Sequence, residues 1–519
     1  MKRIKFLSVF FLAVSFFMLG AQLTAQEADF DESMFEDDTG FESFGDDSEF
    51  GDSFGNETGS SFGSALSALT FNGNALMEAR AYLDQKDTDT KDSPTSVKPE
   101  ANLTARYNNS ATEVEVKFNL NKDSFETYKD DILNELTARA YLGNWILEGG
   151  KMKVVWGKGL KLHVVDNFNA TDYTNFLIPE YIDRRLAEPM LRAIYNSPNG
   201  WRMEAIYTPT MTGDRYAKKG VWVPGQVNEL TTSVKKIILA DKDLDGIIDG
   251  GAIGSTSDAT YTRKLMAASS LSADSLYPDT NKLKYGQAGI RFTGTLGSFD
   301  WGLSYYYGRN KKASVYAPNL SAFVNDYVTN GSSSKSTGIE YDRLQVFGFE
   351  GAKAFGPLNT RIELAYNLTD DVAGDDPEVR NNSISWVPGF DIGLPIHNMT
   401  LNVQEIGTVI LKSDKIKDNA LANGANDDVD ADSDNCYTNN KIAVAISDTF
   451  LHEKLLLDCT FLYGFERKDL AIMPKVTYIV KTDIELYAQG LYIRSTDKNG
   501  EFYAWRNNSF AQIGIKYTF

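Results

Sequence analysis

The chain has 519 residues, of which 42% are hydrophobic and 12% aromatic, and 71 acidic residues against 52 basic ones give a net charge of −19. This charge argues against a nucleic-acid-binding protein, because affinity for the phosphate backbone comes from Lys and Arg side chains. Two cysteines exclude a disulfide-based fold. The mean hydropathy of −0.32 is compatible with a membrane β-barrel, whose strands alternate lipid-facing and lumen-facing residues.

Residues 1–25 predict a secretory signal peptide. Lys2, Arg3 and Lys5 precede an apolar run from Phe6 to Leu19, and small and polar residues follow up to Ala25. A retained membrane anchor is the alternative, but this run is shorter than the roughly 20 residues that span a bilayer as a helix. We therefore expect cleavage near Ala25 and export from the cytoplasm.

Residues 26–64 form an acidic segment. Between Glu27 and Gly63 there are 13 acidic residues, no Lys or Arg, and seven Phe spaced irregularly. A segment with this much charge cannot bury enough apolar surface to offset the conformational entropy lost on folding. We therefore predict that it is disordered. It is either a solvated tail or a periplasmic segment that folds on a partner or captures cations.

Residues 65–519 repeat a two-residue alternation typical of β-strands. In the segment 113–120, Val114, Val116 and Phe118 alternate with charged residues, and the segment 358–368 repeats the pattern. In a soluble sandwich so many charged faces would all lie on the outer surfaces, whereas in a barrel they line water. The sequence predicts an all-β fold: a transmembrane antiparallel β-barrel of about 16 strands, within a range of 14 to 18, with long extracellular loops.

The segment 147–192 combines a strand with a charged loop. It contains Val154-Val-Trp-Gly-Lys158, then His163-Val-Val-Asp-Asn-Phe-Asn-Ala-Thr-Asp172, then Ile182-Asp-Arg-Arg185. This resembles poorly characterised outer-membrane barrels in which a strand ending Trp-Gly-Lys leads into a loop with Asp-x-x-Asn-Pro-x-Asp. The matching residues are Trp156, Gly157, Asp166, Asn169 and Asp172, while Ala170 stands in place of the Pro.

A loop with both signs of charge that folds into the lumen would narrow it and set selectivity, as charged rings do in channels. We therefore predict a set of pore-lining side chains, with a salt-bridged structural loop as the alternative. The set is Asp166, Asp172, Asp183, Arg184, Arg185 and Arg192.

Residues 241–249 resemble the calcium loops of EF-hand and thrombospondin-like repeats, and they imply calcium as a bound ion. Side-chain oxygens would come from Asp241, Asp243, Asp245 and Asp249, and Ile247 would offer its carbonyl. The twelfth position is occupied by Ala252 instead of the bidentate Glu, so a weaker site or a ligand from elsewhere is implied. A merely acidic turn is the alternative.

Little else in the sequence points to a chemical site. A second acidic run, from Asp427 to Asp434, has no suitably placed Gly and is typical of a solvated loop. With three His and no Gly-x-Ser-x-Gly motif, we do not expect an enzyme. Whether Cys436 and Cys459 are bridged is left open.

The chain ends in Phe510-Ala-Gln-Ile-Gly-Ile-Lys-Tyr-Thr-Phe519, which places Ile513, Ile515, Tyr517 and Phe519 on one face. Here the sequence resembles the Gram-negative outer-membrane β-barrels, whose alternating last strand ends in Phe. That resemblance implies a location in outer-membrane lipid and recognition by the outer-membrane assembly machinery.

A barrel of about 16 strands is wide enough for an aqueous channel unless loops fold inward. The sequence therefore favours a porin or substrate-selective channel for small solutes. The alternatives are an adhesin or structural barrel with calcium-ordered loops, and a transporter of hydrophobic solutes of the fatty-acid type, which needs an apolar path through the lumen.

Overall fold

The computed structural model describes residues 69–83, 95–218, 220–239, 259–315, 317–330, 338–376, 379–415, 438–498 and 500–519. The predicted signal peptide, the acidic segment, the calcium motif at 241–249, the second acidic run and Cys436 lie outside these residues. The described residues form a closed antiparallel β-barrel of 18 strands, which confirms the predicted fold class.

The barrel strands are β1 (Leu69–Tyr82), β2 (Thr95–Asn108), β3 (Thr112–Asn121), β4 (Leu133–Leu142), β5 (Trp145–Met152), β6 (Glu188–Asn196), β7 (Trp201–Thr208), β8 (Gln287–Leu296), β9 (Phe299–Arg309), β12 (Arg343–Phe355), β13 (Leu358–Thr369), β14 (Ser383–Gly393), β15 (Thr400–Ile410), β16 (Thr438–Phe450), β17 (Leu455–Gly464), β18 (Leu470–Lys481), β19 (Ile484–Arg494) and β20 (Phe510–Thr518). A separate two-stranded antiparallel sheet consists of β10 (Ser314–Val315) and β11 (Ile339–Glu340). Each barrel strand pairs with the next one along the chain, and β20 pairs with β1 to close the cylinder.

The observed 18 strands stand at the upper limit of the predicted range, two above the central estimate. Very short turns explain the low estimate. Residues 143–144 join β4 to β5, and residues 297–298 join β8 to β9. In the sequence such strand pairs read as one long alternating stretch.

The two ends of the barrel differ in the length of their connections. At one end the strands are joined by short turns, such as residues 109–111 and 482–483, and β1 begins and β20 ends there. At the other end long connections such as residues 209–286 and 310–342 leave the wall. In outer-membrane barrels short turns face the periplasm and long loops the exterior.

The outward face of the wall is apolar and the inward face polar. On β20, Ile513 is 65% exposed and Ile515 44%, whereas the alternate residue Gln512 is 2% exposed. Leu191 and Leu303 are similarly exposed on β6 and β9. Because exposed apolar side chains recur around the whole cylinder, the outward face has the composition that a bilayer requires.

Helices lie outside the wall in the connections. They are α1 (Lys122–Glu126), α2 (Gly225–Leu239), α3 (Ala259–Ser270) and α4 (Ala317–Asn330). Helices α2, α3 and α4 pack on one another through Ile238, Ala267 and Phe323 at the long-loop end. Across the described ranges, none of the helices has the length and apolar character needed to cross a membrane.

Candidate functional site in the barrel lumen

The connection between β5 and β6, residues 153–187, lies inside the barrel and is called the inserted loop below. Trp156, Phe168 and Phe176 in this loop are 0–1% exposed. A loop without regular strands is buried so completely because the surrounding wall and neighbouring connections cover it. The lumen therefore contains packed protein and is not an empty pore.

The first half of the inserted loop packs on the wall formed by β7, β8 and β9. The Trp156 indole N–H donates a 2.8 Å hydrogen bond to the Glu204 carboxylate. Phe168 makes edge-to-face contacts with Trp156 and Tyr306, at centroid distances of 5.0 and 5.2 Å. A Cβ at Gly289 would lie 2.8 Å from the Phe168 ring, so a glycine in β8 makes room for this contact.

A single wall carboxylate anchors the next turn of the loop. Glu363 on β13 is fully buried and accepts hydrogen bonds from the backbone N–H groups of Gly159, at 2.7 Å, and Val164, at 2.9 Å. The His163 Nδ1 lies 2.9 Å from the same carboxylate. Gly157 has φ +114°, and a Cβ there would collide with Glu363. Glycine is thus required where the loop backbone approaches its anchor.

The second half of the inserted loop packs at the opposite side of the barrel, on two other connections and on β1. Phe176 stacks on Trp222 at 5.5 Å and contacts Phe502 and Trp505 at 5.1 Å. Close by, Arg80 on β1 donates a 2.7 Å hydrogen bond to the Asn175 side chain from the loop. The loop is therefore attached at both sides of the lumen, and it narrows the passage between them.

Asn169 clamps the base of the inserted loop. Its side-chain oxygen accepts from the Val154 N–H at 2.8 Å, and its nitrogen donates to the Met152 and Leu186 carbonyls at 3.1 and 2.8 Å. These three bonds join the residues that leave β5 to those that approach β6. The matching Asn of the predicted motif therefore has a structural function in this chain.

We expect Asn169→Ala to loosen the inserted loop without unfolding the barrel. The substitution leaves three buried backbone groups without partners, at about 1–3 kcal/mol each. Proteolysis within residues 153–187 of the folded protein should accelerate in this variant. Thr174→Ala is the control, because Thr174 engages Asp172 through its backbone N–H only. Equal cleavage of both variants and the parent would contradict the clamp.

The predicted pore-lining residues separate into buried and exposed members. Asp166 and Arg185 form a buried ion pair of 2.5 Å, and the Tyr181 hydroxyl also donates to Asp166 at 2.8 Å. Burial raises the pKa of the Tyr181 hydroxyl well above its ordinary value, so this group stays a hydrogen-bond donor. Asp172 lies 3.3 Å from Arg215. These contacts hold the loop in shape.

Asp183 is exposed, and Arg184 is half-buried and donates to the Pro179 carbonyl at 3.1 Å. The half-buried Lys161 and the exposed Glu180, 3.4 Å apart, are further charges of the loop that the sequence did not single out. The structure thus brings Asp166 and Arg185 together but does not gather all six predicted residues in one ring. Their role in solute passage stays a prediction.

Arg192 belongs to a row of alternating charges on the inner wall, called the charge ladder below. In strand order its members are Arg106, Glu113, Arg139, Glu148, Arg192, Glu204, Arg291 and Glu350. Arg192 pairs with Glu148 at 2.9 Å and with Glu204 at 3.0 Å, and both carboxylates are almost fully buried. The sequence shows charged inward faces, but only the strand register reveals that they neutralise one another.

Gly302 permits the last step of the charge ladder. Arg291 on β8 and Glu350 on β12 are separated by β9, yet their side chains approach to 2.5 Å. A Cβ at Gly302, on the strand between them, would lie 2.5 Å from a Glu350 oxygen. The missing side chain on β9 allows the carboxylate to reach across a whole strand.

Within the described residues, no cluster of three or more His, Cys, Asp or Glu side chains is arranged to hold a metal ion. The calcium prediction at Asp241, Asp243, Asp245, Ile247 and Asp249 falls outside those residues and is not tested.

The family model described as "Protein of unknown function (DUF1302)" matches residues 148–469. None of the curated proteins matches the chain. Solved structures with a similar fold include OccK3 (OpdO) of Pseudomonas aeruginosa, which is 10% identical with a TM-score of 0.44 and covers 88% of this chain and 98% of its own. OccK5 (OpdH) of the same organism is 10% identical with a TM-score of 0.43, over 87% and 98%. A mutant of Rh. blastica porin is 9% identical with a TM-score of 0.35, over 87% and 100%.

Proposed function

Because this chain belongs to the DUF1302 family, whose function is unknown, we propose a function from the geometry of its lumen: an outer-membrane channel that passes small solutes selectively. The observation that carries the proposal is the inserted loop. It is attached to both sides of the lumen, and it presents the exposed carboxylates of Glu180 and Asp183 and the half-buried Lys161. A constriction lined by charges of both signs selects among polar solutes.

The apolar side chains of the lumen do not favour the alternative of a hydrophobic-solute transporter. Trp156 and Phe168 are packed against the wall at 0–1% exposure, and Phe176 is equally buried on the other side. An apolar path would need open apolar surface, and these side chains provide a tightly packed anchor instead. The adhesin alternative depends on the calcium motif outside the described residues.

Conductance of the purified full-length protein in planar bilayers tests the proposed function. We expect stepwise openings smaller than those of an unobstructed barrel of 18 strands, because the inserted loop occupies part of the lumen. A protein that inserts into the bilayer but shows no conductance and no solute flux in loaded vesicles would contradict a channel. Adhesion to a surface ligand by such a silent barrel would favour the adhesin.

The ion selectivity of this channel should depend on pH through Asp183. Desolvation by the surrounding protein raises the pKa of the Asp183 carboxyl above its usual value, despite the opposing charge of Lys153. The carboxylate therefore accepts a proton at a higher pH than an ordinary aspartate, and the preference for cations should fall earlier on acidification. Reversal potentials in a salt gradient, recorded from pH 7 downward, measure this preference.

Asp183→Asn should remove that part of the pH dependence and lower cation preference at neutral pH. Asp279→Asn is the matched control, because Asp279 pairs with Lys282 on an exposed loop outside the barrel wall. If the Asp183 variant keeps the pH profile of the parent, Asp183 does not face the conducting path.

A further inference from the structure

The outward face of the wall carries a groove across β12 to β15, called the wall groove below. Its volume of about 470 Å³ lies within the range of ligand-binding clefts. The floor contains Gly351, Ile362 and Pro388, and the sides include Phe299 and Phe390. Gly351 has no side chain to fill the space, and a Cβ there would lie 2.7 Å from the Phe299 ring. The groove therefore arises from small residues set between aromatic ones.

The wall groove begins at the edge of the barrel and ends in the middle of the wall. Lys353 lines it two residues before β12 ends at the short-turn end of the barrel. Glu405 lines it from the middle of β15. The strand register connects the two sides through the row Lys353, Thr360, Phe390 and Val403. A molecule in the groove would run from the membrane boundary toward the hydrocarbon centre.

The end of the wall groove in the middle of the wall contains a polar group, the Glu405 carboxylate, which already has a hydrogen-bond partner within the protein. The Trp386 indole N–H donates a 2.9 Å hydrogen bond to the Glu405 carboxylate. The Trp386 ring lies directly over Gly407, where a Cβ would collide with it, so the indole is held in place. Glu405 thus has a partner of its own, and the rest of the groove is lined almost entirely by apolar atoms.

We propose that the wall groove binds one anionic phospholipid, with an acyl chain along the apolar floor and the phosphate at Lys353. The ammonium group of Lys353 stands at the end of the barrel where headgroups lie, 5.0 Å from the centroid of the Phe355 ring. A long Lys side chain at this depth reaches the interface and attracts anionic headgroups. The apolar lining and the Lys353 ammonium at the boundary match the two parts of such a lipid, while Arg361, which also lines the groove, is paired with Asp391. The proposal does not depend on which solute the lumen passes.

Native mass spectrometry of the full-length protein, titrated with phosphatidylglycerol or phosphatidylcholine in detergent, tests this site. We expect one tightly held phosphatidylglycerol per barrel. Lys353→Gln should weaken its binding about fivefold, the loss expected for one lysine at a lipid surface, and remove the preference over phosphatidylcholine. Val403→Trp should fill the groove and abolish tight binding of either lipid.

Two variants on another strand are the matched controls. Lys481→Gln removes an exposed lysine at the short-turn end of β18, and Val476→Trp enlarges a lipid-facing valine of that strand. Both should retain the lipid. Retention by Val403→Trp equal to that of the parent would overturn the site. A dimer in the parent that Val403→Trp abolishes would overturn it too, because a second copy would then cover the groove.

Discussion

Replacing Glu363 by Ala should raise the conductance of the channel several-fold. Glu363 is the buried acceptor for the loop turn at residues 159–164, and its loss leaves the Gly159 and Val164 N–H groups without a partner. Hydrogen bonds to a charged group contribute about 1.5–3 kcal/mol each, so the turn should detach from β13 and widen the passage. Single-channel recordings at neutral pH measure the change, and we expect more open-channel noise as the freed turn moves.

The control for this experiment is Asp391→Asn. Asp391 is a carboxylate on β14 that pairs with Arg361 on the neighbouring strand at 2.5 Å. It shares the chemistry of Glu363, and both Arg361 and Asn359, which donate to it, belong to the wall strand β13. Equal conductance of Glu363→Ala, Asp391→Asn and the parent would show that the turn does not limit the passage. Circular dichroism of each variant establishes that the barrel has formed.

Replacing Arg192 by Met should destabilise the barrel strongly. The guanidinium of Arg192 lies between two carboxylates, Glu148 and Glu204, whose side chains are only 2–3% exposed. Removing one partner of a buried ion pair costs about 3–5 kcal/mol. Glu148 keeps Arg139 as a partner at 2.5 Å, so most of the loss should come from Glu204, whose next ion-pair partner, Arg202, lies 3.8 Å away. Urea unfolding in detergent, followed by the gel shift between folded and unfolded barrel, measures this loss.

Two further variants separate the charge effect from the loss of side-chain volume. Arg106→Met removes a ladder member whose side chain is 52% exposed, so we expect at most about 1 kcal/mol. Adding Glu204→Gln to Arg192→Met removes the carboxylate that loses its nearest cation, while Glu148 keeps Arg139, and should restore part of the stability. If the double variant is no more stable than Arg192→Met, packing rather than charge compensation explains the role of Arg192.

The period-two alternation was enough to predict the barrel. In a lipid-facing strand the apolar and polar residues alternate within a few positions, so the pattern is visible in a short stretch of sequence. The apolar faces predicted for Val114, Val116 and Phe118 and for the last strand agree with the structure. The number of strands was harder to predict, since a turn of two residues barely interrupts the alternation. The separation of barrel and connections therefore follows largely from the sequence.

The inserted loop was only partly predictable. The motif residues Trp156, Gly157 and Asn169 indicated a special loop, but the partners that explain them lie far along the chain. Trp156 bonds to Glu204, 48 residues away, and Gly159 bonds to Glu363, 204 residues away. No local pattern encodes such contacts. In the sequence, Glu363 is one of many charged residues predicted on an inward face. Nothing there distinguishes it as the buried partner of the loop turn.

The seam between β1 and β20 has a consequence for how the barrel forms. Gly73 and Phe519 exchange two backbone hydrogen bonds of 2.9 Å, which extend the pairing of β1 with β20. Until β20 pairs, both β1 and β19 present open edges with unpaired backbone groups, which invite pairing with other chains. The most distant pairing in the sequence is also the slowest to find. Closure is therefore expected late in folding, and a variant without β20 should form an open sheet rather than a slightly smaller barrel.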